Sequence, residues 1–477
     1  MLFNTLKFLL IFPLIFGLYW VIPARYNQLR KWLLILVSYL LYMNWKPAWA
    51  LVLLGVTIIT YWGGHFLQLR VESEELKVDE KRKRKRLAWC FALLALLPLL
   101  VFKYYNFLNN SISDGLAAIG LQFTLPGLNW AVPVGISFFT FQAVGYMLDV
   151  YHGRIKAERN ITDYILFVSF FPQVASGPIS KASELLPQIK QEKLFNYNQA
   201  VSGLRYLLWG MFLKVALADR AGIYVDTVFA EYAKFSGAGC FIGSLLYSVQ
   251  IYADFAGYSL MAVGLGKTLG FDLINNFKRP YFSVSITDFW RRWHISLSRW
   301  LKDYVYIPLG GSRCSKLRNY WNIFVTFLVS GIWHGANWTF IVWGILHGVA
   351  QIIEKVFGWN QKDYKAFARL GRIVLTFLIV TVAWTIFRSP SIGESFGYFA
   401  RYTSMSGQLI AEGSTLVYII MALIPVVLYE VMTEFFPVLY NKLYSKQWLR
   451  WCAYLAVFAM MMLIGVFDGS SFIYVSF

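Results

Sequence analysis

Apolar runs long enough to cross a bilayer recur along the whole of this chain, and charged residues are too few to coat a water-soluble body of its size. The runs fall near residues 3–23, 32–44, 48–66, 88–103, 132–150, 163–178, 199–218, 240–262, 320–333, 336–356, 371–388, 414–436 and 447–467. A helix needs about twenty such residues to span roughly 30 Å of hydrocarbon. Only 14% of the residues are charged and 58% are hydrophobic, whereas soluble domains carry about 25% charged residues. Backbone polar groups inside lipid must pair within their own segment, so runs of this length are expected to be helical. The expected fold is an all-α integral membrane protein, a polytopic helical bundle of about 10–12 spans. Re-entrant or interfacial helices are expected where the runs near 32–44, 163–178 and 320–333 fall short. No repeat, linker or large hydrophilic block interrupts the pattern, so residues 1–477 are expected to form a single transmembrane domain.

The formal net charge of +19 comes from 44 Lys and Arg against 25 Asp and Glu. In this setting the excess suits cytoplasmic loops and anionic lipid headgroups rather than nucleic acid. Arg25, Arg30 and Lys31 follow the first run, and Lys81 to Arg86 follow the third. Both belong on the cytoplasmic face of the cell membrane, as does the loop 67–87. The N-terminus is then outside, with the polar stretch 104–131, and Arg154, Lys156 and Arg159 return to the cytoplasm. The run from Leu2 to Ile22 exceeds a secretory core and precedes no cleavage pattern, so it reads as a retained span. Cys90, Cys240, Cys314 and Cys452 have no metal-ligand or disulfide spacing, so no metal is expected.

The stretch from Ile286 to Val305 carries an apolar stripe at helical spacing: Ile286, Phe289, Trp290, Trp293, Leu297, Trp300, Leu301 and Tyr304. Asp288, Arg291, Arg292, Arg299, Lys302 and Asp303 take the other face, which suits an amphipathic helix in the cytoplasmic interface. Ser285 or Thr287 could cap its start, and Pro308 with Gly310 and Gly311 end it. His294 falls at the border of the stripe, beside Trp290 and Leu301. Imidazole gains nothing from packing there, so a chemical role and a structural one both remain open.

His334 sits in Gly331-Ile-Trp-His-Gly-Ala-Asn-Trp338, between two strongly apolar runs. An ionisable group at membrane depth is costly and suggests function. Gly331, Gly335 and Ala336 leave room for a ligand or for tight helix packing. His347 lies thirteen residues on, about 140° around a continuous helix, so it need not meet His334. Gly264-Leu-Gly-Lys-Thr268 lacks the leading glycine of a phosphate loop, since Met261 stands there. Gly393-Glu-Ser-Phe-Gly397 has the letters of GxSxG but follows an apolar helical run rather than a strand, and no HExxH occurs, so acyl transfer here would go by direct attack rather than through a covalent enzyme intermediate.

At these two segments the chain resembles the membrane-bound O-acyltransferase (MBOAT) family, in the branch of the alginate and peptidoglycan O-acetylation membrane proteins. Carrying the resemblance are Trp290-Arg-Arg-Trp-His294-Ile-Ser-Leu-Ser298, Tyr306-Ile-Pro-Leu-Gly-Gly311 and the His334 segment. Pro133 to Gln142, Phe170 to Pro178 and Tyr252 to Ser259 support it. The resemblance implies a ring of helices around a central tunnel, with His334 as the catalytic histidine and His294 as the second polar residue. It also implies a cytoplasmic acyl donor and an acceptor hydroxyl on the other side.

These expectations combine into a mechanism. His334 acts as general base on the hydroxyl, and the alkoxide attacks a thioester, with acetyl-CoA as co-substrate and no permanently bound cofactor. His294 orients the donor or stabilises developing charge. Arg291, Arg292 and Arg299 are candidates for the CoA phosphates or for headgroups, so no donor-binding residue is fixed. The alternatives are D-alanyl transfer toward teichoic acid and, from another class, a solute transporter. A bulky glycan fits poorly at membrane depth, so an extracytoplasmic acetyltransferase partner is expected to complete transfer to an exopolysaccharide or cell-wall acceptor.

Overall fold

The computed structural model describes residues 3–69, 78–360 and 364–467, and among these it is helical, with one isolated bridge between Phe235 and Gln408. Seven helices are long and apolar enough to cross a membrane, or eight if one bent pair counts as a span. The protein is thus multi-pass; seven or eight candidate spans among the described residues meet that length and composition, against the ten to twelve crossings expected. The residues group into two compact units, one chiefly Leu6–Gly203 with Ala262–Ile274, the other chiefly Leu204–Met261 with Asn275–Phe477.

The first unit holds α1 (Leu6–Val21), α2 (Asn27–Met43), α3 (Pro47–Leu69), α4 (Val78–Leu99), α5 (Tyr105–Ala118), α6 (Ile136–Tyr151), α7 (Ile161–Ser169), α8 (Phe171–Val174) and α9 (Ala182–Lys190). The two leading apolar runs form the bent pair, Leu6–Val21 and Ala24–Met43, turned by 108°. Pro23, which lacks an amide proton and fixes its φ, stands at the corner. The run near 163–178 is broken, as its length foretold, between α7 and α8 at Phe170. The run near 132–150 becomes α6, only 16 residues long and nearly all buried, so protein rather than lipid surrounds it.

The basic run Lys81–Arg86 is not a loop. It forms early turns of α4, which a π-helical turn at Leu100–Tyr104 joins to α5. Residues 70–77 of the expected cytoplasmic loop lie outside the described residues. Part of the polar stretch 104–131 is likewise helical. Its asparagines hold the following segment as a strand edge would. Asn106 Nδ2 donates to Leu128 O (2.7 Å) and Asn106 Oδ1 accepts from Leu128 N (2.8 Å); Asn109 does the same with Leu125 (2.7 and 3.2 Å).

The second unit contains most of α10 (Tyr197–Met211) and α12 (Gly237–Thr268), with α11 (Asp219–Ala230), α13 (Ile286–Arg292), α14 (Ile295–Leu301), α15 (Lys316–His334), α16 (Trp338–Val356), α17 (Ala366–Arg388), α18 (Ile392–Ala400), α19 (Gly413–Phe435), α20 (Pro437–Ser445) and α21 (Gln447–Ile464). In α21 only 11% of the spanning window is buried, so its apolar side chains have lipid as their natural neighbour. Gly264 to Thr268 lie within α12, which accounts for the absence of a phosphate loop there. A π-helical segment, Phe212–Ala218, joins α10 to α11. Its Lys214 is buried and paired with Asp219 (2.6 Å) and Asp254 (2.8 Å). Burying a charge is tolerable only with such partners.

Candidate active site

The helix expected to run unbroken from Ile286 to Val305 is interrupted. α13 ends at Arg292, Trp293 is extended, and His294 takes the left-handed conformation (φ 44°, ψ 53°) before α14 begins. His294 and Arg279 are the two non-glycine residues with positive φ among the described residues. A single wheel therefore does not locate His294, and its expected place beside Leu301 on one stripe does not hold. The cause is a tether that periodicity cannot show. Ile295 N donates to Asn276 O (3.0 Å), Ser296 N donates to Asn276 Oδ1 (3.0 Å), and Lys278 N donates to Arg292 O (2.9 Å). Residues 276–278 hold the break open and turn the imidazole inward, where it is fully buried.

The start of α13 is capped twice. Ser285 Oγ accepts from Asp288 N (3.0 Å), as its sequence position suggested. Glu354, from the far end of α16, accepts from Ile286 N (2.6 Å) and Thr287 N (3.0 Å). A carboxylate at a helix N-terminus meets unpaired amides and the positive end of the dipole.

α15 and α16 form a tight hairpin, and His334 is the last residue of α15. Asn337 caps α16 by accepting from Thr339 N (3.0 Å) and ties the corner to Pro390 O (2.7 Å). The glycines serve close packing rather than ligand space. A methyl at Gly331 would strike the Phe340 carbonyl, and one at Gly335 the Phe340 ring.

Indole rings link the buried histidines. Trp333 lies 5.8 Å from His294 and 4.9 Å from His334, centroid to centroid. Phe255 packs edge-on to His294 at 4.6 Å, and Phe387 edge-on to His334 at 5.4 Å. His347, which the helical wheel set apart, joins the same cluster. Trp343 is 4.8 Å from both His334 and His347, and Trp290 Nε1 donates to His347 Nδ1 (3.2 Å). That bond makes Nδ1 the acceptor and leaves Nε2 of the neutral ring carrying the proton. His347 Nε2, Trp343 Nε1 and Trp384 Nε1 are buried with no hydrogen-bond partner among the described residues. The step that reasoning from the sequence missed is the hairpin, which sets Trp343 between the two imidazoles.

The three candidate arginines separate. Arg292 is held by Asp288 (3.0 Å) and Glu434 (3.0 Å). Arg299 is partly buried and Arg291 exposed.

Residues 154–389, which contain all of these side chains except Glu434, match the MBOAT, membrane-bound O-acyltransferase family. The chain is 40% identical over 406 residues to the probable alginate O-acetylase of Pseudomonas syringae pv. tomato, covering 83% of this chain and 74% of that one. It is 33% identical over 438 residues to the peptidoglycan O-acetyltransferase of Helicobacter pylori, covering 85% and 80%. A weaker likeness, 29% over 318 residues and 63% of this chain, extends to the teichoic acid D-alanyltransferase of Bacillus subtilis, 77% of which it covers. Relatedness of this extent makes the chain a member of the membrane-bound O-acyltransferase family and so an acyltransferase.

Proposed function

We propose that the protein takes an acetyl group from a cytoplasmic thioester, acetyl-CoA, and passes it across the membrane to a hydroxyl of an extracytoplasmic polysaccharide or partner protein. The observation that carries this reading is the single indole of Trp333 packed against both His294 and His334. It puts two imidazoles at one buried place, as a two-substrate transfer requires.

In the proposed reaction His334 removes the proton of the acceptor hydroxyl as its oxygen bonds to the thioester carbon. His294 faces the negative charge that gathers on the carbonyl oxygen. The C–S bond then breaks, and the thiolate leaves and takes up a proton. The central tunnel that the family resemblance implies would let the two substrates enter from opposite faces. The N-terminus lies outside in this reading, and lipids surround the bundle. A second, extracytoplasmic acetyltransferase carries the group onward to the polymer. Acetyl is favoured over D-alanyl because the O-acetylating relatives match more of the chain at higher identity.

The test uses purified protein in proteoliposomes with labelled acetyl-CoA, a small hydroxyl acceptor and, separately, intact polymers. Label is expected on the small acceptor or a partner serine, and on polymer only with a partner protein present. Turnover of a D-alanyl carrier thioester without turnover of acetyl-CoA would overturn the acetyl assignment. Efficient labelling of polymer by the protein alone would overturn the relay.

A further inference from the structure

Three arginines converge on one buried carboxylate at the edge of the second unit. Glu434, in the last turn of α19, accepts from Arg279 Nε (2.7 Å), Arg292 Nη1 (3.0 Å) and Arg369 Nη2 (3.3 Å). Arg292 also pairs with Asp288 (3.0 Å). Three guanidiniums thus meet Glu434 and Asp288, with buried Glu430, held by the Tyr252 hydroxyl, one turn back along α19. The acids lie underneath, with side chains 8% and 9% exposed, and the cations outward, at 36%, 21% and 39% for Arg279, Arg292 and Arg369. Each guanidinium carries five N–H donors in a rigid fork. Arg279 and Arg369 each give Glu434 a single nitrogen, and the Arg369 guanidinium also lies over the Phe435 ring (5.1 Å).

Arg279 is the other left-handed non-glycine residue among the described residues (φ 47°). It follows directly on the tether that shapes His294. Strained conformations of this kind concentrate at ligand clamps.

We propose that Arg279, Arg292 and Arg369, assembled by Glu434, form a phosphate-binding site for the phosphorylated end of the acyl donor. This rests on the acyl-transfer reading above. Placement supports it. Arg369 opens α17 and Glu434 closes α19, so the cluster stands at the ends of two candidate spans, at headgroup depth. One turn along α17, Arg372 reaches Glu354 at the end of α16 (3.8 Å). Trp343, which touches His334, is eleven residues back along α16, about 16 Å at 1.5 Å per residue. A donor with phosphates at one end and a thioester at the other, joined by a flexible arm, can follow α16 from that end toward the imidazoles. His294 follows Arg292 by two residues.

The ligand chemistry is a phosphate ester, which either a soluble donor or a lipid headgroup could supply. The test compares acetyl-CoA with S-acetyl-pantetheine, the same thioester without phosphate, in vesicles of neutral lipid and of neutral lipid mixed with phosphatidylglycerol. Turnover of acetyl-pantetheine by the unaltered protein checks the acyl-transfer reading separately, and its absence with both donors would remove that reading and this one together. For a donor site, Arg279→Gln and Arg369→Gln raise KM for acetyl-CoA about tenfold more than KM for acetyl-pantetheine. Arg369→Lys, which keeps charge but not the fork, recovers part of that preference. For a lipid site, the two donors have equal KM, phosphatidylglycerol raises turnover of both, and the variants lose the rise. Equal losses on both donors in both vesicles, with lowered melting temperature, would make the cluster a structural tie and overturn the proposal.

Discussion

Trp343 stands edge-on to His334, with ring centroids 4.8 Å apart and planes at 85°. The same indole lies 4.8 Å from His347, so one side chain fixes the distance between two imidazoles that sequence spacing alone would set on different faces. The rigidity of the site comes from fused rings packed at their edges, which have few rotamers to lose.

His334→Ala should lower acetyl transfer by about 10² to 10⁴ while the protein still inserts and elutes as a single species. Labelled transfer at matched protein concentration measures this. Near-normal transfer would take His334 out of the chemistry.

His347→Phe leaves the buried Trp290 indole N–H without its acceptor, which should cost about 1–3 kcal/mol of stability. The variant should melt earlier in detergent and lose more activity than His152→Phe, because His152 is exposed. Equal melting temperatures would contradict the bond between Trp290 and His347.

At position 294 the backbone can be separated from the ring. A β-branched residue in the left-handed region is strained by roughly 1–2 kcal/mol or more, whereas asparagine tolerates it. His294→Asn should therefore fold near normally with impaired transfer, and His294→Val should lose both stability and transfer. If the two variants melt alike, the left-handed conformation is not what holds the break.

Lys214→Met removes the cation shared by two buried carboxylates. Breaking such a pairing from one side costs about 3–5 kcal/mol, enough to deplete folded protein. Yield on size-exclusion chromatography reports it, and a double variant that also replaces Asp254 with Asn should recover part of the loss.

Topology is open to cysteine labelling once exposed Cys90, Cys314 and Cys452 are replaced. In intact cells an impermeant reagent should reach Asp114→Cys and miss Lys83→Cys; both positions are exposed. The reverse pattern would place the N-terminus inside and move the donor to the other face.

Much of this was legible in the sequence, and the rest was hidden for identifiable reasons. Apolar runs gave the membrane helices, and the Trp290–Ser298 and Gly331–Trp338 segments gave the family. Fewer helices reach spanning length than the apolar runs suggested, because burial by protein and burial by lipid select similar side chains, as α6 illustrates. The break at His294 depends on Asn276, nearly twenty residues upstream, and no local periodicity reports a distant tether. His347 was undervalued because a wheel describes one helix, while the α15–α16 hairpin folds two together. Glu434 was missed entirely: a lone acid in the last turn of an apolar helix gives no signal until three arginines from elsewhere in the chain close on it.

The helical run from α4 through the π turn to α5 carries cations at both ends of its uncharged stretch. Between Arg86 and Lys103 lie sixteen residues without a charge, about 24 Å of helix at 1.5 Å per residue, against a hydrocarbon core of roughly 30 Å. The two ends are met differently. Arg86 is exposed and free to meet headgroups, whereas the Lys103 ammonium turns inward to Ser137 Oγ on α6 (3.5 Å). Protein thus supplies at one end of the run the polar partner that headgroups supply at the other.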